Sequence, residues 1–431
     1  MNLFLLVFVF IIFGIILISY SSKNLDFVAI SLLGCFTAGF VTGLVNNLSF
    51  WEFINFIEFD AIIIILSMSI ITKIAQDSNI LEYLAVKLFK ISKGNRRTFL
   101  YLICFITTIL ASIINDVIVV LILGPVVIRL CRFLKIRSGT YLLGMTICIN
   151  IGSIITPFSS GENIIIASAF SLDTVYFVTN YWIFSFFLLF FTIFLMDRFI
   201  LSKEPEIEVQ QKQFVLELVN TDVMISNRKM FYINSIGIII TIILFAILPL
   251  LYLTAAFAAF ILTLINIKFT KKKTIDLLKD VEWEIIFFFI SLYVVIGCLL
   301  EAGFEDLFAG IPFETLDPFI VSFIILILVS LISGFVANTP TALIFIPIIS
   351  LLIKEGFPSI PLYFAFIISI NIGGNLIPQG AACDMMTLKI AQNNAVENLN
   401  FKRLLKVGAT FAIIHVGLSI GYLFLLTLFS G

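Results

Sequence analysis

Charge is what this sequence has least of. Of its 431 residues only 12% are Asp, Glu, Lys or Arg, and His415 is the single histidine. Soluble globular chains carry about 25% charged residues. A net charge of −1 excludes a nucleic-acid binder that works by bulk electrostatics. No Gly-Lys-Ser/Thr nucleotide loop occurs, so ATP does not drive the protein directly, although a separate ATPase subunit is left open as a partner. There is no Ser/His pair and no zinc-binding helix. The six cysteines have no paired spacing and lie in or beside apolar stretches, which argues against disulfides or a zinc site. The opening Met1-Asn2-Leu3-Phe4 lacks a basic n-region, so the first apolar run reads as a retained span rather than a cleaved signal peptide. What is present in excess is apolar: 61% hydrophobic residues, 48 of them Phe, and a mean hydropathy of +1.16. Apolar stretches near the ~20 residues of a bilayer-crossing helix follow one another along the whole chain. The fold class is therefore an all-α polytopic membrane protein, with the lipid bilayer as its surroundings and the cell membrane as its expected location.

The few charges are ordered. Nearly all of the Lys and Arg fall in clusters: Lys87 to Arg97, Arg129 to Arg137, Arg198 to Lys229, Lys268 to Lys279, and Lys402 to Lys406. The positive-inside rule places these on the cytoplasmic side. Glu52, Glu58 and Asp60, and later Glu301, Glu305, Asp306, Glu314 and Asp317, mark the outer junctions. The stretch 98–128 is basic at both ends, so it should not cross. A polar break at Asn115-Asp116-Val117 suits a re-entrant helical hairpin over 98–134, entering from the cytoplasm. Residues 318–353, with Asn338-Thr339-Pro340 inside them, read as a second hairpin entering from outside.

With these hairpins the spans fall at 3–19, 26–45, 60–77, 139–170 and 181–200, then 231–249, 252–267, 282–300, 361–393 and 405–429. Each half is three spans, a re-entrant hairpin and two spans, one of them broken. The first repeat covers 1–200, a cytoplasmic linker 201–230, and the second repeat 231–431. Its topology is inverted, the architecture of secondary transporters, and both termini are expected outside.

The duplication also shows in the letters. Ile149-Asn150-Ile151-Gly152 recurs as Ile370-Asn371-Ile372-Gly373, and Pro157 and Pro378 follow at equal distance. Both 139–170 and 361–393 are too long for one span and are interrupted by Gly, Pro and hydroxyl or amide residues. Proline frees a carbonyl one turn back, and glycine lets the chain leave helical geometry. Freed carbonyls can bind cations, while half-helix N-termini favour anions. Two tips meeting two broken spans would form one central site. Candidate substrate-binding residues are Asn115, Thr156, Ser159, Ser160, Asn163, Asn338, Thr339, Asn375 and Gln379. Intramembrane acids are functional candidates by default. Asp116, Glu162 and Asp384 are accordingly the coupling-ion candidates, joined by the repeated amides Asn150 and Asn371. No arginine lies at comparable depth.

The sequence resembles the ion transporter superfamily over nearly its whole length, and most closely the arsenite/antimonite efflux permeases and the melanosomal P protein. Carriers of the likeness are Phe59-Asp60 through Leu81-Glu82-Tyr83-Leu84-Ala85-Val86-Lys87, Ser92-Lys93-Gly94-Asn95, and Asn115-Asp116-Val117 with Pro125. Asn150-Ile151-Gly152 with Pro157 and Asn163 follows, then Val281-Glu282-Trp283 and Gly373-Gly374-Asn375. Asn115 and Asn338-Thr339 also resemble the Ser-Asn-Thr tips of the divalent anion/sodium symporters. The resemblance implies a homodimer in which a mobile domain carries the site across the membrane against a scaffold, like an elevator. The expected function is sodium- or proton-coupled secondary transport of a small anion or metalloid oxyacid, with a sodium/proton antiporter as the alternative. No enzymatic activity and no cofactor beyond the coupling ion is expected. The chain departs from the permease pattern at three places. Asp-Asn at the first tip is here Asn115-Asp116, Gly-Asp-Pro-Pro-Asn is Ser159-Ser160-Gly161-Glu162-Asn163, and an Asn in the second copy is Asp384.

Overall fold

The computed structural model describes residues 2–21, 25–204, 225–248, 250–270, 273–308 and 316–430, so most of the linker, 205–224, lies outside the described residues. Among the described residues there is helix and no strand. In the first half α1 (Leu3–Ser21), α2 (Phe27–Asn46), a short α3 (Phe50–Asn55) and α4 (Phe59–Asp77) precede α5 (Ile80–Ile91). The first hairpin is α6 (Arg96–Ala111) and α7 (Asp116–Phe133). The broken span is α8 (Ser138–Gly152) and α9 (Gly161–Phe170), and α10 (Thr174–Phe199) closes the half. The second half runs α11 (Arg228–Ile247), α12 (Leu251–Thr270), α13 (Thr274–Lys279) and α14 (Trp283–Glu301). Its hairpin is α15 (Pro318–Val336) and α16 (Asn338–Lys354), its broken span α17 (Ser359–Gly373) and α18 (Ala382–Asn393), and its last helix α19 (Phe401–Ser430). Ten of the described helices are long and apolar enough to cross a membrane, by length and composition.

Apart from α5, the described helices of the two halves match one for one. Phe27 and Leu251, Phe50 and Thr274, and Phe59 and Trp283 begin paired helices at one constant interval. The short α3 and α13 even share a cap. The backbone N–H of Ser49 donates to Glu52 at 2.5 Å, and that of Lys273 to Asp276 at 3.0 Å. The first half crosses an odd number of times, through α1, α2, α4, the broken span and α10, so the second must start from the opposite face.

Three short helices go beyond the sequence reading: α3, α13 and α5. Hydropathy over a span-length window misses them because they are brief. In α5, Leu81, Ala85, Val86 and Phe89 are buried while Lys87 is exposed, the one-sided pattern of a helix lying along a surface. Span ends also shift to where capping groups stand. The helix expected at 181–200 starts at Thr174 because Asp173 accepts from the N–H of Tyr176 at 2.7 Å.

Two hydrophobic cores form. One joins both hairpins, both broken spans, α10 and α19, with the inner face of α5. The other joins α1, α2, α4, α11, α12 and α14, and Phe158, Ile164 and Ile165 of the first broken span and Leu343 of α16 pack into it. Within a bilayer, close backbone approach rather than water exclusion holds helices together. The first core shows this twice. A Cβ on Gly152 would stand 2.4 Å from the carbonyl oxygen of Thr108, and one on Gly373 would stand 2.5 Å from that of Ser330. These glycines seat α8 on α6 and α17 on α15 in equivalent positions of the two halves. In the second core a buried amide pair ties α11 to α12. Asn234 and Asn266 exchange hydrogen bonds of 2.8 Å, and Asn234 also donates to Ser78 at 2.6 Å. His415 is fully buried in the first core, its Nε2 2.7 Å from the hydroxyl of Thr192 on α10.

Candidate functional site

The two hairpin tips are built differently. At the first, Asn115 caps α7: its side-chain oxygen accepts from the N–H of Val117 at 3.0 Å, and Asp116 accepts from the same N–H at 2.8 Å. The Asp116 carboxylate thus sits in the first turn of α7, at the positive end of the helix dipole. The second tip turns on one residue. Ala337, at φ 95° and ψ 157°, is the sole link between α15 and α16. A residue with a Cβ is rarely found there, and such strain costs about 1–3 kcal/mol. Neighbouring contacts hold the turn. The N–H of Asn338 donates to Gly380 O at 3.1 Å, and its side-chain oxygen accepts from Ser333 Oγ at 2.6 Å. Asn338 Nδ2 then donates to Glu162 Oε1 at 3.0 Å, joining the second tip to the first broken span.

Both tips border one cavity of about 90 Å³, whose polar wall comprises Asn115, Asp116, Glu162, Glu282, Asn338 and Thr339. Tyr20, Phe288 and Phe289 supply an aromatic side, with Tyr20 and Phe288 stacked at 4.6 Å. The cavity therefore lies between the two cores, with hairpins and broken span on one side and α1, α4 and α14 on the other. Asp116 and Glu162 are 8% and 6% exposed. Among the described residues no Lys, Arg or His lines the cavity, and no ion pair reaches Asp116, Glu162 or Asp384.

The other sequence candidates stand behind this wall. Thr156 donates to Ser112 O at 2.5 Å; Ser159 donates to Ser153 O at 2.5 Å and to Thr156 O at 2.8 Å. Asn163 donates to Ser153 O and, at 3.2 Å, to Thr156 O, while Ser160 caps α9. The carbonyls freed by the break are thus already satisfied by side chains of the break itself. Asn371 donates to Asn163 at 2.9 Å and Asn150 to Asn375 at 2.8 Å, so the two broken spans cross through reciprocal amide contacts. Asp384 is fully buried, accepts from Thr146 at 2.6 Å, and leaves Oδ2 without a partner. Gln379 is exposed and does not line the cavity.

Glu282 was not among the sequence candidates. Its signal was present in the repeat: Ile57-Glu58-Phe59 and Val281-Glu282-Trp283 stand in matching register before α4 and α14. On the far side of the cavity a second recess of about 190 Å³ is lined by Asp60, Pro157, Ser171, Asp173 and Tyr252. Phe158 borders both spaces and packs on Phe245 at 4.5 Å, forming an aromatic partition.

An inverted repeat of membrane helices with paired re-entrant hairpins around a central polar cavity defines a multi-pass membrane transporter. The chain belongs to the citrate transporter family, within the ion transporter superfamily: the family model matches residues 8–332. It is 24% identical over 376 residues to an uncharacterised transporter of Mycobacterium tuberculosis, covering 86% of each chain. Likeness to the P protein of Homo sapiens is 29% over 115 residues, which is 27% of this chain and 14% of that protein. Among solved structures, the YdaH transporter of Alcanivorax borkumensis, described as having an unusual topology, aligns with a TM-score of 0.60 at 11% identity. The alignment covers 89% of this chain and 87% of that one.

Proposed function

We propose that the protein is a cation-coupled secondary transporter that carries a small anion or metalloid oxyacid, with sodium or protons as the coupling ion. The carrying observation is the cavity between the two hairpin tips, where Asp116 and Glu162 stand without a basic partner beside the amides of Asn115 and Asn338. A charge kept at bilayer depth must be neutralised by a proton, a metal cation or a fixed ion. With no fixed cation in the wall, a mobile one takes that place, and an anionic substrate enters together with it. The amide and hydroxyl groups of Asn115, Asn338 and Thr339 then supply donors to the substrate. Asn150, Asn163, Asn371 and Asn375 hold the crossing of the broken spans, and Asp384 is a second, more deeply buried proton or cation acceptor.

Separation into two cores with the cavity between them supports an elevator, in which the hairpin-bearing core moves against α1, α2, α4, α11, α12 and α14. The basic clusters, read by the positive-inside rule, support both termini outside, with the cavity wall formed by the end of α1 and start of α14 then facing inward. The family likeness supports a homodimer as the working assembly.

Uptake into proteoliposomes, across a panel of carboxylates, inorganic anions and metalloid acids with and without sodium and pH gradients, tests the reading. Asp116→Asn is expected to leave the protein folded and inserted, yet to abolish gradient dependence and most concentrative uptake. Unchanged ion dependence in Asp116→Asn removes Asp116 as the coupling group. The absence, among the described residues, of any basic side chain from the cavity wall favours one second reading, a sodium/proton antiporter. Sodium-driven proton movement without any organic or inorganic anion would select it.

A further inference from the structure

Away from the transport cavity, the last turns of α10 and the first turns of α19 enclose a groove of about 720 Å³. It shares no lining residue with that cavity. Four cations, Arg137, Lys203, Arg403 and Lys406, line the groove against one carboxylate, Glu204. Glu204 is already engaged. It accepts from the hydroxyl of Thr140 at 2.7 Å and pairs with Arg403 at 3.5 Å and Arg137 at 3.7 Å. Lys203 and Lys406 are exposed, and among the described residues neither has an ion-pair partner. Among the described residues the groove therefore carries uncompensated positive charge.

Its walls are apolar, formed by Leu195, Phe199, Ile200, Val407, Phe411 and Ile414. Phe199 is 60% exposed, and one side of the same helix continues with exposed Phe187, Phe190 and Phe194. A bilayer covers such a strip, so the groove opens where headgroups give way to acyl chains. A free inorganic anion would satisfy the lysines and leave the aromatic wall wet. A zwitterionic lipid would fill the wall and bring no net charge to the lysines. We propose that this groove binds an anionic phospholipid, its phosphate on Lys203 and Lys406 and an acyl chain along Phe199 and Ile414. The leaflet involved is the one facing the basic loops; lipid binding itself does not depend on the orientation proposed above. Both helices belong to the core that bears the hairpin tips, so the lipid would travel with that core.

Native mass spectrometry of the full chain in detergent micelles tests this, with phosphatidylglycerol or phosphatidylcholine of the same chain length added. Phosphatidylglycerol is expected to be retained in preference. Each juxtamembrane cation contributes about fivefold to such binding, so K203A/K406A should weaken phosphatidylglycerol retention roughly thirtyfold. The same variant should leave phosphatidylcholine retention and the melting temperature unchanged, as expected for exposed side chains. Equal retention of the two lipids overturns the proposal, and so does an unaltered affinity in K203A/K406A. Displacement of the lipid by millimolar inorganic phosphate would show that a free anion is the occupant. Phosphatidylglycerol retention that appears only after E206Q/E208Q would mean that the chain's own acidic stretch fills the groove. Either result overturns the proposal.

Discussion

The glycines at the two helix crossings offer the sharpest quantitative test of the repeat. In Gly373→Ala the new Cβ would lie 2.5 Å from the carbonyl oxygen of Ser330 and 2.7 Å from its Cα; in Gly152→Ala it would lie 2.4 Å from that of Thr108. Backbone atoms cannot swing away as a side-chain tip can, so α17 must part from α15, and α8 from α6, by roughly 0.8–1 Å to reach ordinary contact. Each crossing also holds a hydroxyl-to-carbonyl bond of 3.0 Å, Thr108 to Cys148 and Ser333 to Ile370, which the separation would stretch. Overpacking costs about 1–3 kcal/mol and a weakened hydrogen bond about 1 kcal/mol. Alanine returns about 1 kcal/mol through its better helix propensity. The expected net loss is about 1–3 kcal/mol for each variant, and it should be similar in the two halves. Thermal unfolding in detergent, followed by loss of the monodisperse peak in size exclusion, reads this as a fall of a few degrees. Gly14→Ala, Gly417→Ala and Gly421→Ala serve as controls, since nothing lies within 4 Å of a Cβ at those positions. Melting of Gly152→Ala and Gly373→Ala indistinguishable from these controls would refute the close-approach argument.

Other expectations concern the site and the scaffold. Asn338→Ala removes the donor to Glu162 and the acceptor for Ser333, so the second tip should loosen. With a charge-assisted bond worth about 1.5–3 kcal/mol, substrate affinity measured by calorimetry should fall roughly tenfold to a hundredfold; an unchanged affinity would count against the tip as a binding element. In the scaffold, Asn266→Ala leaves the side-chain oxygen of Asn234 without its donor inside the membrane, while Asn234 Nδ2 keeps Ser78, and should cost about 1–2 kcal/mol. The double change Asn234→Leu with Asn266→Leu should cost less than the two single changes summed, because both partners of the pair are then removed together. Additive melting shifts would argue against a coupled pair.

Much of this architecture is written locally. A run of apolar residues long enough to cross a bilayer must become a helix, because no water is present to satisfy its backbone. The basic clusters and the recurrence of Ile-Asn-Ile-Gly therefore pointed to spans, hairpins and the repeat without any tertiary information. Tip residues were legible for the same reason: Asn115-Asp116 and Asn338-Thr339 interrupt runs that have no other polar break. Short interfacial helices were not, since α5 and α13 depend on what they pack against. Which polar groups face the cavity was also beyond sequence. Thr156, Ser159 and Asn163 looked equivalent to Asn115 as polar residues at a break, yet Ser159 and Asn163 turn inward to satisfy the carbonyls of Ser153 and Thr156, and Thr156 satisfies that of Ser112. Glu282, at the start of an expected span and not a site candidate, enters the cavity wall, because the α1–α14 packing brings Tyr20 and Phe288 together beside it. Span number, order and inversion thus follow from hydropathy and charge along the chain. The direction of each buried amide and carboxylate was decided only by packing, where every unsatisfied backbone group competes for the same few side chains.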